Sequence, residues 1–291
     1  MSLQAFIPEV WNATLITALR KTLVYAQPTV TNRNYEGDIA DYGDTVRITS
    51  ISRPSLVQYT PNSTSLTPDQ IITAGRTLVI DQAWAWNFQI DDVDAAQARG
   101  SVMEDAMSES GYAMADKIDQ SVASLYSQAN AANVVGSVTI DSTPTGSWEA
   151  EAQKAYNDVL IPLKRKLDEA NVPRPGRYCV IPSWMEGVLL KDSRFVKVNE
   201  SGTDEGLRNG QVGRAAGFDI MISNNVPVPT ANNYIVTAGN SSAITFASQL
   251  VKTEAYRPHD KFSDAVKGLG VWGTKVIRPE SLAYATVIET P

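Results

Sequence analysis

The fold is decided by the stretch Leu78-Val-Ile-Asp-Gln-Ala-Trp-Ala-Trp-Asn-Phe-Gln-Ile90, in which large side chains recur at every second position. Successive residues of a strand point to opposite faces, so a period of two predicts a β-strand. A strand of this length would extend roughly 40 Å, whereas ordinary strands have about five or six residues. One face carries the large side chains, namely Leu78, Ile80, Gln82, Trp84, Trp86, Phe88 and Ile90.

A second strand and a long intervening loop complete this region. The strand is predicted from Thr45 to Ser52, and the residues between the strands, Arg53 to Gly75, are rich in Pro, Ser, Thr and Asn. A loop longer than about 12–15 residues is uncommon inside a compact domain and is usually functional or disordered. Residues 44–91 are therefore predicted to form an extended β-ribbon with a projecting tip. Its aromatic face has no evident cover within one chain, which predicts contacts with other copies.

A long helix is predicted from residue 92 to residue 130, because two kinds of side chain recur there with helical spacing. One face is mainly apolar and contains Met103, Met107, Ser110, Met114, Ile118 and Leu125. The opposite face is acidic and contains Asp94, Asp105, Glu109, Asp116 and Asp119. Most of the excess acid of a chain with net charge −7 lies in this segment. The acidic face is either a solvated surface or a lining that repels nucleic acid.

The other segments are expected to form an arm, an α/β unit and returning strands. A short helix near Trp11 to Leu23 and an extended stretch are predicted for residues 1–43. Within residues 131–250 we predict a helix that Ser147 caps and Pro162 kinks or divides. That unit continues with a strand, a short helix and a flexible loop, at Arg177–Ile181, Trp184–Leu190 and Asn199–Gly217 respectively. Residues 251–291 return to β-patterning.

Several kinds of chemistry are disfavoured by the sequence. There is one cysteine, Cys179, and one histidine, His259, so a disulfide framework and a zinc site with paired histidines are excluded. A G-x-G-x-x-G pattern occurs from Gly268 to Gly273, but a predicted strand follows it where a dinucleotide site requires a helix. The negative charge disfavours a grip on nucleic-acid phosphates. No apolar run reaches the roughly 18 residues of a membrane span.

The order of these segments resembles that of the major capsid proteins of tailed bacteriophages. Those proteins have an N-terminal arm, an extended loop, a peripheral domain built on a long helix, and an axial domain that meets its symmetry mates. Local stretches are similar to the family as well: Phe6-Ile-Pro-Glu-Val-Trp11, Asn32-Arg-Asn-Tyr-Glu-Gly37, Gly43-Asp-Thr-Val46, Ile90-Asp-Asp-Val-Asp-Ala-Ala-Gln97, Val172-Pro-Arg-Pro-Gly-Arg-Tyr-Cys-Val-Ile-Pro182 and Val266-Lys-Gly-Leu-Gly-Val-Trp-Gly-Thr-Lys-Val-Ile-Arg-Pro279. The resemblance extends over nearly the whole chain.

The resemblance implies an α+β protein with the Hong Kong-phage-type capsid fold. The implied segments are 1–43 (N-terminal arm), 44–91 (β-ribbon loop), 92–130 (long helix of the peripheral domain), 131–250 (axial domain) and 251–291 (return strands of the peripheral domain). The expected contact residues between subunits are Trp84, Trp86, Phe88, Tyr59, Arg53 and Arg76. Neither catalytic residues nor a cofactor or metal is expected.

The implied function is self-assembly, as hexamers and pentamers, into the icosahedral shell that encloses a tailed-phage genome. The shell would hold double-stranded DNA without binding it specifically and would form in the cytoplasm of the host bacterium. Since the chain begins at the arm, a separate scaffolding protein is expected, together with a portal and a cementing protein. One alternative is the shell of a cellular nanocompartment of the encapsulin type. A remote alternative is a dinucleotide-binding enzyme built on Gly268 to Gly273.

Overall fold

The computed structural model describes part of the chain, with eight segments placed. These are residues 24–34, 45–51, 54–62, 65, 68–70, 73–91, 102–192 and 213–290. Four predicted features lie wholly or mostly outside them: the helix near Trp11 to Leu23, the extended stretch that ends at Gly43, the first ten residues of the long helix, and the loop from Asn199.

The described residues form strands and helices in the mixed order of an α+β protein. The strands are β1 Thr31–Asn32, β2 Thr45–Ile51, β3 Thr73–Val79, β4 Gln82–Asp91, β5 Val134–Asp141, β6 Arg177–Ile181, β7 Arg214–Ala215, β8 Phe218–Ile222, β9 Asn233–Asn240, β10 Ile244–Tyr256, β11 Ser263–Val276 and β12 Leu282–Thr290. The α-helices are α1 Val102–Ala123, α2 Trp148–Lys154, α3 Ile161–Glu169 and α4 Ser183–Leu189.

A six-stranded sheet with the order β5-β12-β9-β6-β8-β7 forms one part of the subunit. Helices α2, α3 and α4 pack on one face, where Cys179 and Ile181 of β6 join an apolar core. The alternate residues Tyr178 and Val180 point to the other face and join a second core. Strand β6 is therefore buried on both faces, as its continuous apolar sequence favours.

The helix predicted after Ser147 is divided near Pro162, as expected. Helix α2 passes into a six-residue π-helical segment, Ala155–Leu160, before α3 begins. Proline lacks the backbone N–H that a regular α-helix would use, so the hydrogen-bonding pattern changes in the turn before it. Ser147 occupies the N-cap position, but its side chain makes no capping hydrogen bond.

A four-stranded sheet with the order β1-β10-β11-β4 forms the second part. Helix α1 packs on it through Met107, Met114 and Ile118, which are buried as the helical spacing predicts. The α-helix ends at Ala123 and continues as a 3₁₀ segment, Ser124–Gln128. The core beneath α1 also contains side chains of the six-stranded sheet, so it joins the two sheets into one body.

The two sheets divide the chain differently from the predicted segments. Strand β10 extends from Ile244 to Tyr256 in the four-stranded sheet, across the expected boundary at residue 250, with a shift in its pairing register between Leu250 and Lys252. Strand β12 lies in the six-stranded sheet, between β5 and β9, although it was expected to return to the other part. Sequence periodicity predicts strands but carries no information about which sheet a late strand joins.

The long alternating stretch is two strands in two different sheets, so the prediction of one continuous strand is wrong. The strand is interrupted at Ile80 and Asp81, which separate β3 from β4. Strand β3 pairs with β2 in a two-stranded ribbon, whereas β4 pairs with β11. Leu78 and Ile80 pack with Val271 on one face of the four-stranded sheet. The aromatic residues of β4 lie on the opposite face, on the side of α1.

Candidate functional site

The ribbon formed by β2 and β3 leads to a tip whose described residues are exposed and belong to neither of the two cores. The strands pair from Thr45 with Val79 to Ile51 with Thr73. Beyond them the described tip, residues 54–62, 65 and 68–70, has no regular secondary structure. Three apolar side chains lie exposed on it: Leu56 is 99% exposed, Val57 58% and Tyr59 65%. Such a concentration of apolar surface on one short segment is typical of a protein–protein contact.

Two polar contacts hold this ribbon in shape. Near the tip, the backbone N–H and hydroxyl of Ser55 donate to Oδ2 of Asp69 over 2.7 and 2.5 Å. These hydrogen bonds, that from the hydroxyl first, lower the pKa of the Asp69 carboxyl. At the base, Nη1 of Arg76 donates to the carbonyl of Val276 over 3.0 Å. Arg76, expected at a contact between subunits, thus fastens the ribbon to its own β11, whereas Arg53 lies outside the described residues.

The aromatic face of β4 is partly covered by its own chain, contrary to expectation. Trp86 and Phe88 are half-buried and stack on each other with ring centroids 5.5 Å apart. Trp84 stacks at 6.5 Å on Trp272, and Nζ of Lys117 lies 5.1 Å from its ring centroid. Only Trp84 of the three is classed as exposed, at 44%. The sequence analysis expected none of the three aromatic residues to be covered within its own subunit, and inferred contacts between subunits from that. The expected lack of cover is wrong for Trp86 and Phe88.

The G-x-G-x-x-G residues lie inside strand β11 and make room for packing. A Cβ on Gly268 would fall 2.4 Å from Cε2 of Trp86, and one on Gly273 would fall 2.3 Å from the carbonyl oxygen of Val79. A Cβ on Gly270 would lie 3.3 Å from the side chain of Met114. Strand β11 has no helix after it: a 3₁₀ turn leads to β12. The glycines of this pattern therefore allow close packing against β11. A dinucleotide site would need a helix directly after residues 268–273, so that alternative is contradicted.

A buried carboxyl, Asp119, lies where the chain leaves the arm. We use "arm root" for residues 24–34. Oδ1 of Asp119 accepts hydrogen bonds from the backbone N–H groups of Val24 and Tyr25 over 2.9 and 2.6 Å. Nδ2 of Asn225 donates to Oδ2 over 3.2 Å. Asp119 is 2% exposed, so its placement on the outer acidic face is wrong. The sequence analysis missed this residue as a functional candidate.

Comparison with known proteins settles the family of this chain. A family model described as "phage capsid protein" matches residues 70–285. The chain belongs to the phage capsid protein family. It is similar over 90% of both chains to a structure from Mycobacterium phage Che8, with 29% identity and a TM-score of 0.72. It is also similar to the capsid structure of cyanophage P-SCSP1u, with 20% identity and a TM-score of 0.69 over 92% of this chain and 89% of that one.

The family and the fold confirm the central expectations from the sequence. The protein is a shell-forming major capsid protein with the tailed-phage capsid fold, a structural component of the virion that self-assembles. A virus-like particle from Pyrococcus furiosus also matches, with 14% identity and a TM-score of 0.58 over 96% of this chain and 99% of that chain. That likeness shows the shared fold alone and leaves the nanocompartment alternative less supported. No match was found among curated proteins.

The single cysteine and the single histidine of the capsid protein are not part of a cluster that could hold a metal ion within the described segments. Cys179 is fully buried, and burial raises the pKa of its thiol. His259 lies exposed in the turn between β10 and β11. Within the described segments, no cluster of three potential ligands could hold a metal ion. Among the helices of those segments, none combines the length and the apolar character needed to cross a bilayer.

Proposed function

We propose that the capsid protein forms an icosahedral shell of hexamers and pentamers, in which each ribbon tip packs on a neighbouring subunit. The carrying observation is the exposed apolar side chains of Leu56, Val57 and Tyr59 beyond the hydrogen-bonded pair of Ser55 and Asp69. Complete burial of an exposed leucine or valine side chain contributes roughly 1.5–3 kcal/mol. Because a closed shell repeats one contact in every subunit, a modest gain per tip becomes a large total. Of the predicted contact residues that the structure describes, Tyr59, Arg76 and Trp84 are exposed on their own subunit.

The other segments have proposed roles that follow the family architecture. Residues 1–43 would reach across neighbouring subunits as an arm. The six-stranded sheet with α2 to α4 corresponds to the axial domain and would meet its copies around capsomer centres. The four-stranded sheet with α1 corresponds to the peripheral domain. Strand β12 lies in the six-stranded sheet and all of β10 lies in the four-stranded sheet. This arrangement supports a peripheral domain that resumes at residue 244 and an axial domain that resumes at residue 282.

The proposed partners beyond other copies of the chain are those of a tailed-phage shell. They are a scaffolding protein during assembly in the host cytoplasm, a portal, a cementing protein, and double-stranded DNA held without specific binding. The net charge of −7 supports the last point, since non-specific affinity for DNA comes from neutralising phosphates with basic groups. We also propose that the chain is not an enzyme, because its family is structural and its glycine pattern lies within a strand.

Assembly of the purified chain tests the proposed function most simply. Expression of the full chain, alone or with a scaffold encoded near it, is expected to give shells, capsomers or tubes visible by negative-stain microscopy. Sedimentation velocity should show species far larger than the 31.6 kDa chain. A compact monomer under every condition of salt and scaffold would contradict the proposal.

A shell without covalent links between subunits is a second expected result. An isopeptide bond on the extended loop needs a lysine amine there, and the sequence has no lysine between Lys21 and Lys117. The basic residues of the ribbon are arginines, whose guanidinium stays protonated and is a poor nucleophile. Boiled virions should therefore give one band near 31.6 kDa on a denaturing gel. A ladder that survives reduction and boiling would show that a lysine elsewhere forms such bonds.

A further inference from the structure

The arm root joins three parts of the subunit. Strand β1 within it pairs in parallel with β10 of the four-stranded sheet, from Thr31 opposite Ile244. Tyr25, Ala26 and Val30 are at most 1% exposed and pack in the core that contains side chains of α1 and of the six-stranded sheet. The guanidinium of Arg33 donates to the carbonyl of Ala26 over 2.7 Å. A segment this deeply buried fixes where the arm leaves the body of the subunit.

Asp119 is the polar centre of this docking site. Its Oδ1 accepts hydrogen bonds from the backbone N–H groups of Val24 and Tyr25, at the start of the arm root. Its Oδ2 accepts a hydrogen bond from Asn225, in the loop after β8. A buried donor without a partner costs about 1–3 kcal/mol, so these groups depend on the carboxyl. The donors to this carboxyl are all neutral, and the backbone N–H of Ala26 acts on it as well. Among the described residues it makes no ion pair. A buried carboxylate held only by dipoles is costly compared with its neutral form.

We infer that Asp119 is a pH-sensitive latch, which holds the arm root on the body of the capsid subunit more tightly when its carboxyl is neutral than when it is charged. The inference does not depend on how the tip packs in a shell. It rests on burial, on the hydrogen bonds to Asp119 and on the chemistry of the groups around it.

The site accommodates the neutral carboxyl after one change, a turn of the Asn225 amide. Oδ1 can still accept both backbone N–H groups, since an oxygen of a carboxylic acid keeps its acceptor capacity. A proton on Oδ2 can be donated to the amide oxygen of Asn225, once that amide turns its oxygen inward. The charged form keeps the same donors, the backbone N–H of Ala26 among them, but is almost completely shielded from water. Burial outweighs the hydrogen bonds and raises the pKa of the Asp119 carboxyl.

Within the described segments, the titratable groups packed against the latch supply no compensating positive charge to it. From the arm, Tyr25 presents a phenol whose pKa burial raises, so it stays neutral. Strand β6 contributes Tyr178 and Cys179 beside Tyr25, and burial raises the pKa of both.

The nearest charged residues in the described parts of α1 and the arm root make other contacts. On α1, Lys117 donates to Gln120 and lies over the ring of Trp84. Asp116 accepts a hydrogen bond from Gln120 at 2.7 Å. In the arm root, the guanidinium of Arg33 binds a backbone carbonyl and lies 5.0 Å from the ring centroid of Phe246.

The sign of the pH effect follows from linkage. A carboxyl whose pKa is higher in the docked state than in the released state binds more protons when docked. Docking therefore strengthens as the pH falls from the raised pKa towards the ordinary one, and at pH values above the raised pKa it stays at its weakest. The window lies between the ordinary pKa of an aspartate, about 3.9, and the raised value. Each pKa unit of difference changes the docking equilibrium roughly tenfold.

Hydrogen exchange of the full-length capsid protein tests the latch. Amides of the arm root, those of Val24 and Tyr25 above all, would be followed from about pH 4.5 to about pH 7.5, after division by their intrinsic exchange rates. In the wild type, their protection is expected to fall as the pH rises. In Asp119→Asn the neutral amide offers the same oxygen to the backbone and a donor to Asn225. In this variant, the protection of the arm-root amides should not depend on pH. At the upper end of the pH range it should at least equal the protection in the wild type.

The matched control is Asp116→Asn, which removes a carboxyl one turn away on the same helix and should keep the wild-type slope. Protection of the amides of β11 reports in each variant that the fold is intact. The inference is overturned if Asp119→Asn and the wild type share one pH dependence. Loss of arm-root protection in Asp119→Asn at the upper end of the range would also overturn it, because that result would show that the charge itself holds the arm.

Discussion

Subunits that carry glutamate at both Leu56 and Tyr59 are expected to form no regular shells while keeping their fold. Both side chains lie exposed on the ribbon tip, so the subunit core does not depend on them. In a shell they would be buried against a neighbour, where an uncompensated carboxylate is strongly disfavoured. Every subunit would carry the defect, so the loss is multiplied over the shell. Sedimentation velocity and negative-stain microscopy measure the outcome, and circular dichroism with thermal melting checks the fold.

The control for this experiment keeps apolar side chains at the same two positions. Leu56→Met combined with Tyr59→Phe preserves apolar surface on the tip and should preserve shells. If the glutamate variant assembles like the wild type, the tip makes no essential contact and the proposed role of the ribbon is wrong. If it loses cooperative melting, the tip belongs to the core of its own subunit.

Replacement of Gly273 by alanine is expected to destabilise the subunit by about 3 kcal/mol, near the upper end of ordinary overpacking. The new Cβ would lie 2.3 Å from the carbonyl oxygen of Val79 and 2.9 Å from Cδ1 of Ile80. The first contact is with backbone, which cannot turn away as a side chain can. The chain passes from the ribbon to β4 at this point, so the junction would have to shift. Chemical denaturation of unassembled subunits would measure the change.

Gly136→Ala is the matched control for this substitution. Gly136 also lies in a strand, β5, but a Cβ there would have no atom within 4 Å. Alanine restricts the unfolded chain more than glycine, so this variant should be unchanged or more stable by up to about 1 kcal/mol. Equal loss of stability in the two variants would show that close packing is not the reason for the glycine at residue 273.

Periodicity predicted most elements of the fold but not how they join. The strand from Arg177 to Ile181 and the apolar face of the long helix are found as expected, because both depend on local patterns. The break at Ile80 and Asp81 was not predicted, since the period of two continues through it. At that break the chain crosses from one face of the four-stranded sheet to the other, and alternation alone cannot show a crossing.

Local sequence patterns could not predict that Asp119 lies buried where the arm root docks. Asp119 follows Asp116 with the spacing of one helical face, so it was assigned to the acidic face of the helix, opposite the apolar one. Its partners Tyr25 and Asn225 are separated from it by 94 and 106 residues. The arm root covers this side of α1, and only the folded structure reveals that cover. By contrast, the composition of the tip region already indicated a segment without a core of its own.

A reconstruction of assembled shells by cryo-electron microscopy, at a resolution that shows side chains, tests the central claim most directly. The account predicts closed shells in which Leu56, Val57 and Tyr59 of each subunit are buried against a neighbouring copy of the chain. Shells in which these side chains remain exposed to solvent in every subunit would contradict it.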